Sequence, residues 1–311
     1  FGGLEEAGVP GDRLEWGDPI CVGPLPPDLE GEALWMRRAA FMAEAWGLMD
    51  ARAHLARLRA EAAALDAADR YSRLILWFEH DLYDQCILIQ LLPALARRGL
   101  LDRAALITLN RHPDIPNFRG LGQLSPAQLA ALIGTETPIG ADQAAAAEAA
   151  LAAFRAPTPE GLAEIARAAT HPSPFLPAAL RRHLAELPSV ANGLGLTEHL
   201  FLQAIAEGAP SAGQAFGRIT RALDPQPFLG DAMAWPIYRA LASAARPAVT
   251  PFEGWPDAVA LTDLGRALLA GEADWAKENG VDRWVGGVRL EGRAPHWRWD
   301  AEREEAVAHA P

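Results

Sequence analysis

Two short apolar runs separated by a helix-length segment indicate the fold class of this chain of 311 residues. Residues 73–78 and 104–109 have the length and the apolar composition of strands that are buried on both faces of a parallel sheet. Between them, residues 83–97 carry apolar side chains around most of a helix circumference. Because strand, helix and strand in this order are typical of parallel sheets, the sequence predicts an α/β protein with a Rossmann-like parallel sheet in a domain over 1–140.

The elements around this predicted sheet follow from capping and loop-forming residues. Residues 13–16 are predicted to form a further short strand, which runs into a loop rich in Gly and Pro over 17–26. Leucines at helical spacing predict a helix within 33–65. Another helix is predicted to begin after Ser125, since Ser is a favoured cap and proline, here Pro126, is favoured at the first helical position.

The second half of the chain is predicted to be mainly helical. Ala-rich sequence interrupted by prolines predicts a helical connector over 141–190. Over 191–300, capped helices, a turn between two short strands and a closing helix after Thr262 predict a winged-helix-like domain. In that domain we expect helices at 197–207, 211–223 and 231–245 and a hairpin within 283–300. The last residues, 301–311, are predicted to form a solvated tail.

The composition favours a cytoplasmic bacterial protein that binds neither nucleic acid nor membrane. Its formal net charge is −12 and its sequence pI is about 5.1, whereas nucleic-acid binders usually carry a basic face. No apolar run reaches the roughly 18 residues that a membrane-spanning helix needs. Heavy use of Ala and Arg is typical of a GC-rich bacterial genome. Cys21 and Cys86 lie far apart and no secretory signal is present, so reduced thiols are expected.

The first candidate site is a cluster of polar residues directly after the first predicted strand: Glu79, His80, Asp81, Asp84 and Gln85. In open α/β sheets, ligands bind where strands end and helices begin. A carboxylate and an imidazole there could form a general acid–base pair or a metal site, so His80, Asp81 and Asp84 are the candidate catalytic residues. Glu79 and Gln85 are candidate ligand-binding residues. The alternative is structural: Asp81 caps the helix and His80 bonds a backbone carbonyl.

Two further clusters supply candidate ligand-binding residues. Asn110, Arg111 and His112 follow the second predicted strand. If the two strands are neighbours, this loop lies beside the first cluster, and Arg111 could clamp a phosphate or a carboxylate. An ordinary polar loop is the alternative. Asp18 follows the strand predicted at 13–16, and its alternative role is to cap a turn.

Several familiar signatures are absent from the sequence. The chain has no phosphate-binding P-loop, no Gly-x-Gly-x-x-Gly dinucleotide fingerprint and no Gly-x-Ser-x-Gly nucleophile elbow. No His-x-His, His-x-x-x-His or Cys-x-x-Cys spacing indicates a transition metal. The sequence therefore names neither a cofactor nor a metal, and hydrolysis or group transfer fits the candidate residues better than redox chemistry.

Several motifs make the chain resemble a bacterial family. Leu-Trp-Phe-Glu-His-Asp-Leu-Tyr-Asp-Gln at 76–85 carries most of this resemblance, together with Gly-Asp-x-Leu-x-Trp at 11–16 and Asp-Pro followed by Gly-Pro within 18–24. On these motifs the chain resembles the bacterial domain-of-unknown-function family number 1835. The segments 261–265 and 283–288 are similar to the C-terminal part of such proteins. The family implies no established activity, but the resemblance supports the first candidate cluster as the site.

Two functional hypotheses follow. The first is an enzyme, a hydrolase or group transferase, that acts on a small anionic ligand at the strand ends of the α/β domain. The second is a non-catalytic regulator that senses a ligand and contacts a partner through the winged-helix-like domain. DNA reading is not expected, because the helix predicted at 231–245 offers only Arg239, with Arg246 at its end. The sequence leaves the substrate and the oligomeric state open.

Overall fold

The computed structural model describes residues 2–308, and it is a mixed structure in which 47 % of residues are helical and 11 % lie in strands. The helices are α1 (Gly2–Glu6), α2 (Gly31–Trp46), α3 (Ala51–Asp66), α4 (Leu82–Arg97), α5 (Pro126–Ala130), α6 (Ala141–Arg155), α7 (Glu160–Ala166), α8 (Leu176–Leu184), α9 (Leu196–Ala206), α10 (Ala212–Arg218), α11 (Asp231–Ser243), α12 (Asp263–Leu269) and α13 (Trp275–Asn279). The strands are β1 (Leu74–Trp77), β2 (Ala104–Ile107), β3 (Thr137–Pro138), β4 (Val281–Val285), β5 (Val288–Gly292), β6 (Trp297–Asp300) and β7 (Glu305–Ala308).

The prediction of a Rossmann-like parallel sheet was wrong. β1 and β2 do pair in parallel, with Leu74 opposite Ala104, but within residues 2–308 the one other strand in this sheet is the antiparallel, two-residue β3. β3 contains Pro138, which has no N–H to extend a ladder. Residues 13–16 form no strand and are mostly exposed, so they offer no apolar face to a sheet.

The winged-helix-like part of the fold-class prediction is not supported either. α9, α10, α11 and α12 lie where helices were predicted, and α10 continues into a π-helical turn at Ile219–Leu223. In place of a two-stranded wing, this region has only isolated bridges among its described residues, Val249 with Leu261 and Ser211 with Ala258. Two prolines lie between the first pair of bridged residues, and they cannot donate the backbone hydrogen bonds of a regular hairpin.

The last strands form two antiparallel hairpins where one was predicted. β4 pairs with β5, and β6 pairs with β7. β7 lies within the segment that was predicted to be a solvated tail. Trp299 of β6 is buried in the same core as α4, so the end of the chain packs against its first half.

Two large hydrophobic cores hold the molecule together. The first core packs α4 against α6, α8 and the late hairpins, with Leu92, Leu180 and Phe154 at its centre. The second core lies among α9, α11 and α12, where the rings of Phe201 and Tyr238 stack at 3.9 Å. Burial of a side chain of this size stabilises the fold by roughly 1.5–3 kcal/mol. None of the helices described is both long and apolar enough to span a bilayer.

Candidate functional site

The polar residues after β1 form a connected start to helix α4. Asp81 caps the helix, because its Oδ1 accepts the backbone N–H of Asp84 at 2.9 Å. The Oδ2 of Asp84 in turn accepts the backbone N–H of Glu79. The buried Gln85 donates from Nε2 to the backbone oxygen of Glu79 at 2.9 Å. The structure thus brings these four residues of the first predicted cluster together, with Gln85 holding the backbone in place.

The carboxylate of Glu79 lies against a glycine-containing loop. Its Oε1 accepts the backbone N–H of Gly122 at 3.0 Å. A Cβ on Gly120 would stand 1.8 Å from Oε2 of Glu79, so a side chain here would require the Glu79 carboxylate to move. The close approach of backbone to carboxylate gives Gly120 a physical role.

The two aspartates at the start of α4 are weak acids. Burial, with the neighbouring charges of Asp84 and Glu79, raises the pKa of Asp81 to about 8. Burial also raises the pKa of Asp84 to about 7, with the charge of Glu79 adding to the effect. At neutral pH Asp81 therefore keeps its proton, and a protonated carboxyl group is a proton donor.

His80 is held in one orientation by its neighbours. Its Nδ1 lies 3.0 Å from the backbone oxygen of Leu109, and since a carbonyl oxygen only accepts, Nδ1 carries the proton and Nε2 is the acceptor. The imidazole lies between Phe118, at 6.5 Å between ring centroids, and Phe175, at 5.9 Å. The backbone oxygen of His80 accepts a hydrogen bond from Nε2 of Gln226 at 2.9 Å. His80 therefore bonds a backbone carbonyl, which is the structural alternative considered for it from the sequence.

A cavity of about 250 Å³ opens beside Glu79 and Asp81. Arg119 and the Gly120 loop line the same cavity, and residues 227–230 form its opposite wall. Two acidic residues and one arginine therefore line the same cavity.

A second cavity of about 270 Å³ lies on the side of His80. The backbone of Asp81 is extended, with φ −77° and ψ 171°. Because successive side chains of extended backbone point to opposite sides, Glu79 and Asp81 line the first cavity while His80 lines the second. Arg119 and Pro227 line both cavities.

The far wall of both cavities is anchored by a buried ion pair. Arg182 of α8 bonds Oδ2 of Asp224 at 2.9 Å and Oε1 of Glu186 at 2.6 Å, and its guanidinium lies 4.9 Å from the ring centroid of Phe228. Oδ1 of Asp224 also accepts the backbone N–H of Gln226 at 2.9 Å. These contacts fix the 224–228 segment, which closes the site from the second half of the chain.

The cation of the site is not the one that the sequence suggested. Asn110 and Arg111 are exposed and line neither cavity. His112 is half-buried; its Nδ1 accepts the backbone N–H of Asp114, and its ring lies 6.2 Å from that of Phe118. Arg119, whose guanidinium donates to the backbone oxygen of Arg221, takes the position beside the carboxyl groups.

Sequence reasoning missed Arg119 because no strand ends at it. It belongs to a Gly- and Pro-rich loop between β2 and α5, and loops of this kind are placed by the elements around them. The signal that could have found it is the Arg-Gly-x-Gly sequence from 119 to 122, which sets a cation next to backbone N–H groups.

Asp18 lies in a buried ion pair and lines neither cavity. Its Oδ1 accepts Nη2 of Arg38 at 2.7 Å, and the side chain of Arg38 is fully buried. Arg38 also donates to the backbone oxygens of Val22 at 2.6 Å and Pro19 at 2.9 Å. The structure therefore places Asp18 where it fixes the 18–24 loop.

Residues 2–308 form neither a metal site nor a disulfide. No group of three or more His, Cys, Asp or Glu side chains in residues 2–308 is arranged to hold a metal ion. Cys21 and Cys86 are both buried and free. Burial, with the contact to Cys21, raises the pKa of the Cys86 thiol.

Comparisons of the chain with protein-family models, with curated proteins and with solved structures find no match. The resemblance to the bacterial domain-of-unknown-function family number 1835 stays a prediction from the motifs.

Proposed function

We propose that the protein is an enzyme, a hydrolase or group transferase, that binds a small anionic ligand in the cavity beside Asp81. One observation carries this proposal: Glu79, Asp81 and Arg119 line the same cavity. An acid that keeps its proton at neutral pH, next to a fixed cation, supplies the proton donor and the charge partner that group transfer from an anionic substrate needs.

In this proposal Asp81 is the catalytic acid and Arg119 binds the anion. Asp84 and Gln85 are positioning residues, since they bond the backbone of Glu79 and hold the start of α4. A catalytic role of His80 and Asp84 and ligand contacts from Asn110, Arg111 and His112 remain predictions from the sequence.

The binding part of the proposal can be tested with inorganic phosphate as the probe. We expect wild-type protein to bind phosphate in isothermal titration calorimetry, and Arg119→Met to weaken binding at least 10-fold. Arg37→Met is the matched control, because Arg37 is exposed on α2 and lines neither cavity. Equal affinity of the wild type and the Arg119→Met variant would show that Arg119 does not bind the anion.

The catalytic part can be tested with chromogenic substrates. A panel of p-nitrophenyl phosphate, sulfate and acetate covers the small esters that a site of this charge fits. Because p-nitrophenolate leaves without a proton, the acid is tested on the methyl ester that corresponds to the p-nitrophenyl ester that turns over. On this methyl ester Asp81→Asn should lower kcat by roughly 10²–10⁴-fold, as loss of a positioned acid does. Asp28→Asn, which removes an exposed carboxylate, should leave kcat unchanged. Full activity of Asp81→Asn on the methyl ester would overturn the assignment.

One observation favours a second candidate, a ligand-sensing regulator without catalysis. Residues of both halves of the chain line each cavity, so a ligand would bridge the loop around Arg119 and the 224–230 segment. A sensor binds its ligand and releases it unchanged. If phosphate binds, alters hydrogen exchange in both of these segments and no ester of the panel is turned over, the sensor is the better account.

A further inference from the structure

The two cavities meet at a single cation. Each cavity alone, at about 250 and 270 Å³, is smaller than the roughly 300–1,000 Å³ of ordinary ligand pockets. Arg119 and Pro227 line both, so the two spaces are adjacent and their joint volume falls within that range. A ligand that filled both would place its central part beside Arg119.

The groups on the two sides of Arg119 differ in chemistry. On one side Asp81 offers a protonated carboxyl group. On the other side His80 offers Nε2 as an acceptor, since its Nδ1 proton is given to the backbone oxygen of Leu109. An acid and a base on opposite sides of an anion-binding cation match an in-line displacement, in which the attacking and leaving oxygens lie on opposite faces of the reacting atom.

We propose that the substrate is a small phosphodiester whose phosphoryl group lies at Arg119 and whose two ester groups occupy the two cavities. This inference rests on the proposed function and narrows its substrate class. A carboxylate or a phosphate monoester carries its charge at one end and has a single arm, which leaves one cavity filled by water alone. A phosphodiester carries its charge in the middle, between two arms.

The local charge of the site agrees with this substrate class. Glu79 in the first cavity accepts the backbone N–H of Gly122, and Asp224 in the second cavity is paired with the buried Arg182. Burial raises the pKa of Asp81 to about 8, so this carboxyl group is neutral at pH 7 and does not repel the phosphoryl oxygens. The net charge of −12 argues against polymeric nucleic acid.

The step balances without a further reactant besides water. In the second cavity, whose volume of about 270 Å³ holds a water as well as the retained ester group, Nε2 of His80 accepts a proton from water as the water oxygen forms a bond to phosphorus. The bond from phosphorus to the ester oxygen in the first cavity breaks, its electron pair stays on that oxygen, and Asp81 gives it a proton. The products are a phosphate monoester and an alcohol. The proton on His80 then returns to the Asp81 carboxylate through solvent.

Two diesters of thymidine 5′-monophosphate distinguish the role of Asp81 as the acid from the role of His80 as the base. The p-nitrophenyl diester has a leaving group that needs no protonation, whereas the methyl diester has one that does. We expect wild-type protein to hydrolyse both. His80→Asn should lower kcat at least 100-fold on both diesters, whereas Asp81→Asn should do so only on the methyl diester. His296→Asn, which changes an exposed histidine, should lower neither.

Three results would overturn the inference. Hydrolysis of p-nitrophenyl phosphate without hydrolysis of either diester would reject the two-armed substrate and leave the proposed function standing. Equal loss on both diesters in Asp81→Asn would reject Asp81 as the acid for the leaving group. Unchanged rates in His80→Asn, with the variant folded by circular dichroism, would reject His80 as the base.

Discussion

Asp81 has two roles that conflict energetically. As the cap of α4 it bonds a backbone N–H, and as a buried carboxyl group among Asp84 and Glu79 it ionises only near pH 8. The cap could be predicted from the sequence, because an Asp before an apolar helical segment is a common start signal. The raised pKa of Asp81 could not be predicted, since the segments that surround it, around 119–123 and 227–230, are remote in sequence.

Asp81→Asn is expected to stabilise the protein in a pH-dependent manner. The folded-state pKa of about 8 lies above the ordinary 3.8, so between pH 4 and 8 the unfolded state binds fewer protons and stability falls as pH rises. Asn keeps the cap and removes this penalty. Urea unfolding should show a gain of about 5 kcal/mol at pH 8, from the rise in pKa from 3.8 to about 8, and none at pH 4. A variant that is destabilised equally at both pH values would contradict the raised pKa.

His183 gives the opposite pH dependence. Its ring stacks on Phe154 at 4.3 Å, and neither ring nitrogen has a partner among the described residues. Burial lowers its pKa from 6.5 to about 3, so the unfolded state binds more protons between these values and stability falls as pH drops below 6.5. His183→Leu should reduce the stability lost between pH 7 and pH 4 by about 2–3 kcal/mol in urea unfolding. His296→Leu, at an exposed position, should leave that loss unchanged.

At the scale of elements, the glycine loop and the end of β1 depend on each other. Gly120→Ala would force the Glu79 carboxylate away from its bond to Gly122, because the new Cβ would stand 1.8 Å from Oε2. Loss of a hydrogen bond to a charged group predicts a stability cost of about 1.5–3 kcal/mol. Gly122→Ala is the matched control, since its Cβ would meet Glu79 only at 3.9 Å.

A double-mutant cycle shows whether Glu79 causes this cost. In a Glu79→Ala background, Gly120→Ala should cost less than about 0.5 kcal/mol, as the clashing carboxylate is gone. A cost that stays the same in both backgrounds would mean that the loop is strained for another reason.

The elements show why the sheet was over-predicted. β1, α4 and β2 are where the apolar pattern placed them, because buried strands and helices show themselves in local sequence. The number of strands in a sheet cannot be read from local sequence, since it depends on which segments pair. Residues 13–16 alternate like a strand yet stay exposed, and the sheet ends at Pro138. The polar residues directly after β1 therefore lie together as the sequence predicted, whereas the loop that carries Arg119 was not predicted to lie beside them.

At the scale of the whole molecule, Arg182 anchors the 224–228 segment, whose Gln226 bonds the first half of the chain at His80. Its side chain is buried and bonds Asp224 and Glu186. Arg182→Met should cost about 3–5 kcal/mol, because it leaves two buried carboxylates without their cation. Arg181→Met, one residue earlier, removes an exposed pair with Glu304 and should cost less than about 1 kcal/mol. Similar costs for the two variants in urea unfolding would contradict the anchoring role.

The same anchor links stability to the site. Asp224 and Gln226 line the second cavity, and Gln226 bonds the backbone of His80. Such long-range placement is what a single sequence does not show: Arg182, Asp224 and His80 are separated by dozens of residues and carry no shared motif. We infer that the cavities form only when both halves are folded and docked.

The central claim is that a neutral acid faces an anion-binding cavity. A ¹³C NMR titration of the side-chain carboxyl carbons, with the Asp81 signal assigned by its loss in Asp81→Asn, measures this directly in the folded protein. We predict that the Asp81 carboxyl titrates with a midpoint near 8, since burial raises its pKa to about 8. A midpoint near 4, as for an exposed aspartate, would contradict the account.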